Sequence, residues 1–317
     1  MPAIATRTAT MKAIRIHSFG GPEVLRLEEV PQPEPNKDDV LIHVHAAGVN
    51  PVDWKIREGR LGKIPLPAIM GSDFSGVIEA LGPGVTDFRV GEAVFGSVAD
   101  ESGSYAEYSL APVAQVTEKP PGLEHLKAAA LPIAGLTAWQ ALFDAAGLRA
   151  GQKVLVHAAA GGVGSFAVQF ARWKGAYVIG TASGRHVEFA RQLGADEVID
   201  YRTKDFRDVV QEVDVVLDTI GGETQERSWK VLRKGGVLVS IVQPPSEAVA
   251  GAHGAKGLFI RCDHSRRDEL GQIADLVVRG QVQVHVDIVL PLNEARRAQE
   301  LSQSGHAQGK IVLRVAE

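Results

Sequence analysis

The residues best suited to chemistry lie in a turn of small residues, His157-Ala158-Ala159-Ala160-Gly161-Gly162-Val163-Gly164-Ser165. The apolar, β-branched run Lys153–Val156 before it predicts a buried strand, and the apolar pattern of residues 166–172 predicts a helix after it. A strand, a glycine turn and a helix in this order are typical of dinucleotide binding. Glycine lets the backbone approach a pyrophosphate, and the helix start offers N–H groups and a partial positive charge. We therefore predict cofactor binding by Ala160, Gly161, Gly162, Val163 and Gly164.

The residues that distinguish NADPH from NADH are expected after the next strand. An NAD site usually has an Asp or Glu there, about 20 residues beyond the turn, bound to the ribose 2′-hydroxyl. Here the strand continues into Thr181-Ala182-Ser183-Gly184-Arg185-His186, which contains no acid. Ser183 can donate a hydrogen bond to a 2′-phosphate, and Arg185 can form an ion pair with it. The pattern predicts NADP(H), with a solvated Arg185 at a helix start as the competing interpretation.

Three later segments are expected to reach the nicotinamide half of the cofactor. Ligands of doubly wound sheets bind at the carboxyl ends of the strands, and the segments at 218–222 and 242–243 each end a predicted strand. Residues 258–261 form the loop beyond the last of these strands. Core packing of the sheet is the competing explanation for all of them. The candidate contacts are Ile220, Val242, Phe259 and Ile260.

Other chemical constellations are weak in this sequence. His43 and His45 share a face of a predicted strand, but no third metal ligand accompanies them. Cys262 is the only cysteine, which excludes an internal disulfide and a multi-cysteine zinc site, and we expect its thiol to be inert. Asp73 is a weak candidate for a general acid, and hydrogen bonding near a strand start is the preferred interpretation. We therefore predict no metal.

The composition indicates a soluble protein with no nucleic-acid partner. The chain has 317 residues, a formal net charge of -4, and therefore no basic field that would attract nucleic acid. Its apolar stretches are too short to span a bilayer, and its start lacks the apolar core of a signal peptide. We expect a cytoplasmic protein with a flexible tail at residues 1–10 and no membrane partner.

The organisation of the chain is that of an α/β protein with two domains. Residues 11–125 contain short strands separated by Gly and Pro, which is typical of a barrel-like β domain. Helix and strand patterns then alternate, beginning with a predicted helix at 127–142, and this predicts a doubly wound parallel sheet. The final strand and helix patterns predict a return to the first domain. We expect a catalytic domain at 11–125 and 262–317 and a nucleotide-binding domain at 126–261.

Taken in order, these residues resemble the medium-chain dehydrogenase/reductase superfamily, and within it the zinc-free quinone oxidoreductase and alkenal double-bond reductase branch. The resemblance covers the chain from Met11 to Val315. It implies a Rossmann doubly wound parallel sheet, a GroES-like β-rich catalytic domain, an active site in the cleft between them, and a homodimer. The stretches that carry it are Ala47-Gly48-Val49-Asn50-Pro51-Val52-Asp53, Gly103-Ser104-Tyr105-Ala106-Glu107-Tyr108, Leu136-Thr137-Ala138-Trp139, Leu193-Gly194-Ala195-Asp196-Glu197-Val198-Ile199-Asp200-Tyr201 and Gly309-Lys310-Ile311-Val312-Leu313.

The resemblance also assigns roles to single residues. Zinc-dependent relatives bind zinc through a Cys and a Gly-His-Glu motif, where this chain has Asn50 and Met70-Gly71-Ser72-Asp73. A family zinc site therefore cannot form at these positions. In relatives the residue matching Thr137 contacts the nicotinamide-ribose side. The residue matching Tyr201 packs beside the adenosine 2′-phosphate, to which His306 would add.

Chemistry without a metal favours acceptors that take a hydride readily. Quinones and α,β-unsaturated carbonyls delocalise the incoming charge onto an oxygen, so the enzyme needs orientation and one or two donors there. Asn50 is the best donor candidate, although Asn before Pro also favours a plain turn. Three interpretations stay open: an NADPH-dependent quinone reductase, an NADPH-dependent enone or enal reductase, and a non-catalytic NADPH-binding sensor or structural protein. The candidate catalytic residues are Asn50 and Tyr105, and the candidate substrate-pocket residues are Asp53, Trp54 and Lys55.

Overall fold

The first third of the chain consists mainly of short strands. The computed structural model describes residues 9–98 and 102–316. Residues 1–8 of the predicted tail lie outside the described residues, and Thr10 already belongs to the first strand. One helix, α1 (Pro51–Arg57), follows the third strand. The strands are β1 (Thr10–Ile16), β2 (Arg26–Pro31), β3 (Asp39–Val49), β4 (Ala68–Ile69), β5 (Asp73–Leu81), β6 (Ala93–Ser97), β7 (Tyr108–Pro112) and β8 (Val116–Glu118).

The helix predicted at 127–142 is divided into three pieces. It consists of α2 (His125–Ala128), α3 (Pro132–Trp139) and a π-helical turn at Gln140–Ala145. The division follows from Pro132, which has no N–H and whose ring clashes with the carbonyl four residues earlier in a continuous helix. That residue is Ala128, where α2 ends. The prediction of one continuous helix was therefore wrong, and α3 gains a separate N-terminus inside the protein.

The middle of the chain forms the predicted doubly wound sheet. Its six strands are parallel and lie in the order β11-β10-β9-β12-β13-β14. This is the Rossmann order, in which the strand order reverses beside β9 and ligands bind at the carboxyl edge of the sheet. The strands are β9 (Lys153–Val156), β10 (Tyr177–Ala182), β11 (Glu197–Asp200), β12 (Val213–Asp218), β13 (Leu232–Ser240) and β14 (Lys256–Phe259), and the helices are α4 (Gly162–Trp173), α5 (Val187–Gln192), α6 (Gly222–Ser228) and α7 (Glu247–Ala252).

The last part of the chain returns to the first sheet, as predicted. It consists of α8 (Arg267–Val278), β15 (Val286–Pro291), α9 (Ala295–Gln303) and β16 (Lys310–Arg314). Strand β16 pairs antiparallel with β3 and completes a seven-stranded sheet in the order β15-β16-β3-β5-β6-β8, with β7 also on β3. A second, three-stranded sheet has the order β2-β1-β4.

The seven-stranded sheet and the six-stranded sheet share part of one apolar core. Ala46, Phe95 and Val312 from the seven-stranded sheet pack in the same cluster as side chains of α3, α4 and β9. The predicted boundaries at 125/126 and 261/262 stay predictions. In the described residues, no helix has the length and apolarity needed to cross a bilayer.

Candidate active site

The predicted pyrophosphate turn lies between the end of β9 and the start of α4. Ala158 adopts a left-handed conformation with φ +48°, and the Gly161 N–H donates to its carbonyl at 2.9 Å. Gly164 lies so close to the same carbonyl that any side chain there would collide with it. No side chain of the described residues caps α4. The N–H groups of Gly162 and Val163 at its first turn can therefore bind an anion.

The seven-stranded sheet contacts this turn through the start of β16. The Gly309 N–H donates to the Ala160 carbonyl at 2.8 Å. A side chain on Gly162 would lie 3.3 Å from Cδ of Lys310, so the lysine stem passes directly beneath the turn. The residues that would hold the pyrophosphate are thus in contact with the domain that carries Asn50.

The predicted 2′-phosphate residues come together at the ends of β10 and β11. Arg185 donates to the backbone carbonyl of His306 at 3.4 Å. The Tyr201 N–H donates to the Ala182 carbonyl at 3.2 Å, and the Tyr201 side chain is 57% exposed. Ser183 is nearly buried, and its hydroxyl lies 3.3 Å from Nδ1 of His186. Arg185, Tyr201 and His306 therefore form an exposed rim that an adenosine phosphate could reach.

An acidic residue that the sequence analysis did not single out lies beside this rim. A side chain on Gly184 would lie 2.7 Å from Oδ2 of Asp200, the last residue of β11. An acid was sought only at the end of β10, whereas this carboxylate comes from the end of the neighbouring strand, directly before Tyr201. The signal was present in the sequence, because parallel neighbours end at the same edge of a sheet.

The end of β12 is shaped by a buried carboxylate. Asp218 accepts hydrogen bonds from the backbone N–H groups of Ile220 at 3.0 Å and Gly221 at 2.8 Å. It also accepts from the Ser240 hydroxyl at 2.9 Å, which joins the ends of β12 and β13. The Ile220 side chain is left 53% exposed. Asp218 therefore holds the loop that presents Ile220 at the ligand-binding edge.

The remaining nicotinamide candidates lie along the same edge. Val242 packs against Gly221, and the Ile260 N–H donates to the Ser240 carbonyl at 3.1 Å. Leu258 and Phe259 belong to β14 and pair with β13, so the prediction of a loop at 258–261 was wrong for these two residues; Phe259 is partly exposed at the end of the strand. Thr137 is buried on α3, where its hydroxyl interacts with the thiol of Cys262. Burial raises the pKa of Cys262 to about 12, in agreement with the predicted inert thiol.

A network of buried polar side chains lies where β3, β5 and β16 meet. Asn50 donates from Nδ2 to Asp73 at 2.9 Å, and its side-chain oxygen accepts a hydrogen bond from Lys310. Lys310 also donates to the Val49 carbonyl at 3.2 Å. Asp73 in turn accepts from the Ile133 N–H at the start of α3 with both oxygens, each at 3.2 Å. Asp73 is thus hydrogen bonded at the start of β5, as the sequence analysis preferred.

A second carboxylate anchors the other side of the network. Asp53 accepts from the backbone N–H of Asn50 at 2.7 Å, which closes a capping box at the start of α1. It also accepts from the Tyr105 hydroxyl at 2.8 Å and from the Ser72 hydroxyl at 3.0 Å. Tyr105 is completely buried, so it contacts Asp53 rather than solvent.

Burial dominates the protonation of this network. Desolvation raises the pKa of both Asp53 and Asp73 to about 6, against their hydrogen bonds and, at Asp73, the charge of Lys310. The pKa of Lys310 is lowered by the same burial, and the two carboxylates oppose that change. Burial, followed by the charge of Asp53, places the pKa of Tyr105 well above its ordinary value. The two carboxyl groups can therefore hold a proton up to about pH 6.

A cavity of about 200 Å³ opens beside the network. Asp53 and Ser72 line it, whereas Trp54 and Lys55 are not among its lining residues. The Trp54 ring lies 5.6 Å below Nζ of Lys55, and both side chains are half-buried. Asn50 is 2% exposed, and its amide lies in the hydrogen-bond network behind the cavity. The lining also includes Ser97 of β6, Ile133 of α3 and His264 of the segment after β14.

The histidine pair on β3 forms an aromatic row. His43 meets His45 edge to face at 5.2 Å, and His45 stacks on His125 at 4.5 Å. Within residues 9–98 and 102–316, no three His, Cys, Asp or Glu side chains are arranged to hold a metal ion.

Family comparisons agree with this architecture. Residues 36–121 match the family described as alcohol dehydrogenase GroES-like domain, and residues 193–313 match the family described as zinc-binding dehydrogenase. A Rossmann sheet inserted into a GroES-like β-rich domain defines a medium-chain dehydrogenase/reductase.

Individual relatives narrow the class. The chain is 36% identical to quinone oxidoreductase of Rattus norvegicus over 98% of this chain and 99% of that protein. It is 35% identical to the chloroplastic NADPH-dependent alkenal/one oxidoreductase of Arabidopsis thaliana, over 96% of this chain and 79% of that one. The chain therefore belongs to the zinc-free quinone oxidoreductase branch of the medium-chain dehydrogenase/reductase superfamily, and it is an oxidoreductase.

Solved structures of quinone oxidoreductases have the same fold as this chain. The quinone oxidoreductase from Coxiella burnetii superposes with a TM-score of 0.90 at 37% identity, over 97% of this chain and 100% of that one. The Escherichia coli quinone oxidoreductase complexed with NADPH superposes with a TM-score of 0.88 at 29% identity, over 97% of this chain and 100% of that one.

Proposed function

We propose that this protein is an NADPH-dependent, zinc-independent reductase of conjugated carbonyl acceptors, with quinones as its main substrates. The observation that carries the proposal is the hydrogen bond between Asn50 and Asp73 beside the cavity. These residues occupy positions that bind zinc in zinc-dependent relatives; here they bind each other, and Asn50 also accepts a hydrogen bond from Lys310. A reductase of this kind requires an acceptor that takes a hydride without a Lewis acid.

The residues of the cofactor site fit NADP(H). The first turn of α4 presents Gly162 and Val163 to a pyrophosphate, and Arg185 and His306 offer positive charge or donors to a 2′-phosphate. NADPH, when bound, supplies a hydride from C4 of its nicotinamide. The relative from Escherichia coli, whose structure contains NADPH, supports this choice. Ile220, Val242, Phe259, Ile260 and Thr137 are proposed to position the nicotinamide half.

The protein contributes orientation and hydrogen bonding at the acceptor. We propose that Asn50 donates its second amide N–H, the one not bonded to Asp73, to the acceptor oxygen as charge develops there; because Asn50 lies behind the cavity lining, this requires its amide to become exposed when the acceptor binds. Tyr105 is proposed as a positioning residue, because it contacts Asp53 and not the cavity. Trp54 and Lys55 are proposed to border the entrance. The cavity volume of about 200 Å³ suits a small acceptor.

A second candidate function is reduction of the carbon–carbon double bond of enals and enones. The alkenal/one oxidoreductase of Arabidopsis thaliana supports it, at 35% identity. Both substrate classes place developing charge on a carbonyl oxygen, so one arrangement of donors serves either. The predicted homodimer is consistent with β14, an edge strand of the six-stranded sheet that ends in the partly exposed Phe259. Cytoplasmic location and the lack of nucleic-acid and membrane partners stay predictions.

The test is an acceptor panel with product identification. Purified protein is mixed with NADPH or NADH and either a benzoquinone or a short enone. A separate assay contains a saturated alcohol and NADP⁺. We expect NADPH consumption with the quinone and slower consumption with the enone, and formation of hydroquinone or saturated ketone. Turnover of the saturated alcohol only, or of no acceptor, would contradict the proposal. A faster reaction with the enone than with the quinone would favour the second candidate.

A further inference from the structure

Three side chains form a continuous path from the cavity to the buried network. His264, which lines the cavity, lies with Nδ1 3.0 Å from the hydroxyl of Ser97. The Ser97 hydroxyl lies 3.3 Å from Oδ1 of Asp73. Both Ser97 and Asp73 are buried, and they are paired directly across β6 and β5. A hydroxyl between an imidazole and a carboxyl group can accept a proton on one side and donate one on the other.

The surroundings of Asp73 allow it to store a proton. Its carboxyl group is fully buried, and burial raises its pKa to about 6. Asn50 and Ile133 hold the carboxyl oxygens in place, so the group keeps its orientation toward Ser97. Among residues 9–98 and 102–316, the titratable side chains that face Asp73 or act on it include Lys310, Asp53, Tyr105, Cys262 and, through Ser97, His264.

The proposed reaction needs a proton source. A conjugated carbonyl that receives a hydride carries the new electron pair on its oxygen and requires one proton to become neutral. The residues so far assigned to the acceptor supply hydrogen bonds and orientation but no transferable proton. A positioned proton donor speeds such a step by roughly 10²–10⁴-fold.

We propose that Asp73, Ser97 and His264 form a proton relay that delivers this proton to the acceptor in the cavity; the proposal rests on the reductase function proposed above. The Asp73 O–H bond breaks as its proton passes to Ser97 Oγ, and the Ser97 proton passes to Nδ1 of His264. The proton on Nε2 of His264 passes to the acceptor oxygen. The acceptor thus gains the hydride from NADPH and one proton. NADP⁺ and the Asp73 carboxylate remain; to reset the relay, Nε2 of His264 takes a proton from water, and the Nδ1 proton passes back through Ser97 to the Asp73 carboxylate.

A similar pair elsewhere provides a matched control. Ser75 lies on the same strand as Asp73, is also buried, and its hydroxyl contacts Nδ1 of His125 at 2.8 Å. That hydroxyl donates to the Val94 carbonyl at 3.1 Å rather than to a carboxylate, and neither residue lines the cavity. Ser75→Ala and Ser97→Ala therefore each remove a buried serine–histidine contact, but only Ser97→Ala interrupts the path.

The first experiment needs no activity. The nitrogen NMR shifts of the His264 ring, assigned with a His264→Gln variant, are followed with pH in protein without cofactor. We expect the wild-type ring at alkaline pH to carry its proton on Nδ1, donated toward Ser97 and the ionised Asp73. Ser97→Ala is expected to shift the ring toward the Nε2 tautomer, and Ser75→Ala is expected to leave it unchanged. Identical His264 shifts in wild type and Ser97→Ala would overturn the relay, whatever the enzyme reduces.

The second experiment measures the chemical step with a short enone and NADPH. We expect Ser97→Ala to lower kcat by at least about tenfold, to change the solvent deuterium isotope effect, and to abolish the fall in kcat as pH rises through about 6. NADPH affinity and the Ser75→Ala variant should match wild type. A Ser97→Ala enzyme with the wild-type pH profile and isotope effect would overturn the relay. Failure of the wild type on every acceptor would instead count against the proposed function, which the panel assay detects separately.

Discussion

The side-chain amide of Asn50 donates a 2.9 Å hydrogen bond to the carboxylate of Asp73. This contact joins the residue before α1 to the first residue of β5, at two positions where zinc-dependent relatives have metal ligands. Lys310 completes the arrangement by donating to the Asn50 oxygen. The Asn50 amide thus bridges the Lys310 ammonium group and the Asp73 carboxylate. The buried carboxylate is neutralised by the protein's own groups.

The first prediction concerns metal content. Amide and hydroxyl groups at Asn50 and Ser72 are poor zinc ligands, and both side chains are already hydrogen bonded within the protein. We expect less than stoichiometric zinc in the purified protein by elemental analysis, and unchanged activity after incubation with a chelator. One tightly bound zinc per chain, with loss of activity when it is removed, would contradict the prediction.

The second prediction concerns the 2′-phosphate. Arg185 lies beside the His306 carbonyl and is free to turn its charge toward a phosphate at the rim. Arg185→Ala is expected to weaken NADPH binding by roughly 1.5–3 kcal/mol, the range for a hydrogen bond to a charged group, and to leave NADH binding nearly unchanged. Titration calorimetry with both cofactors measures the difference. Arg191→Ala, which removes an exposed arginine from α5, the helix that follows Arg185, is the control.

The third prediction concerns the acid that the structure places near the same rim. The Asp200 carboxylate lies against Gly184, and its negative charge opposes a 2′-phosphate while it can accept a hydrogen bond from a 2′-hydroxyl. Asp200→Asn is expected to strengthen NADPH binding several-fold relative to NADH, because an isosteric amide removes the repulsion. The measurement is the ratio of the NADPH and NADH dissociation constants in the wild type and in Asp200→Asn. An unchanged ratio would mean that the carboxylate is too far from the bound phosphate.

The glycine turn between a strand and a helix and the doubly wound parallel sheet were predictable because they depend on local sequence and on regular strand–helix alternation. The buried network was not. Lys310 reaches Asn50 only because β16 pairs with β3, and this pairing joins distant parts of the chain. The path from His264 through Ser97 depends in the same way on the chain returning after β14. A single sequence gives no distance between such residues, so their types alone indicated nothing.

The fourth prediction concerns stability. Burial raises the pKa of Asp53 to about 6, so the folded protein keeps a proton that the unfolded chain has already released between about pH 4 and 6. The folded state then binds more protons, and this contribution to the free energy of unfolding is present at low pH and falls as pH rises through 6. Asp53→Asn removes this group, so the slope of the unfolding free energy against pH is expected to decrease by an amount equivalent to about one proton. Urea unfolding of both proteins from pH 4 to 7 measures it, and parallel curves would disprove it.

The last prediction returns to Asn50. If its second amide N–H stabilises the acceptor oxygen, Asn50→Ala removes one hydrogen bond to developing charge and lowers kcat/KM by about tenfold or more. NADPH affinity should change little, because Asn50 lies on the catalytic sheet and does not belong to the turn at Gly161. The substitution also removes the donor to Asp73 and the acceptor for Lys310, so a purely structural effect must be separated from a catalytic one. A loss of stability without loss of activity per folded molecule would assign Asn50 to structure. A loss of kcat/KM at unchanged urea midpoint and unchanged NADPH affinity would assign it to the acceptor, because the ground-state network would then be intact while the reaction is slowed.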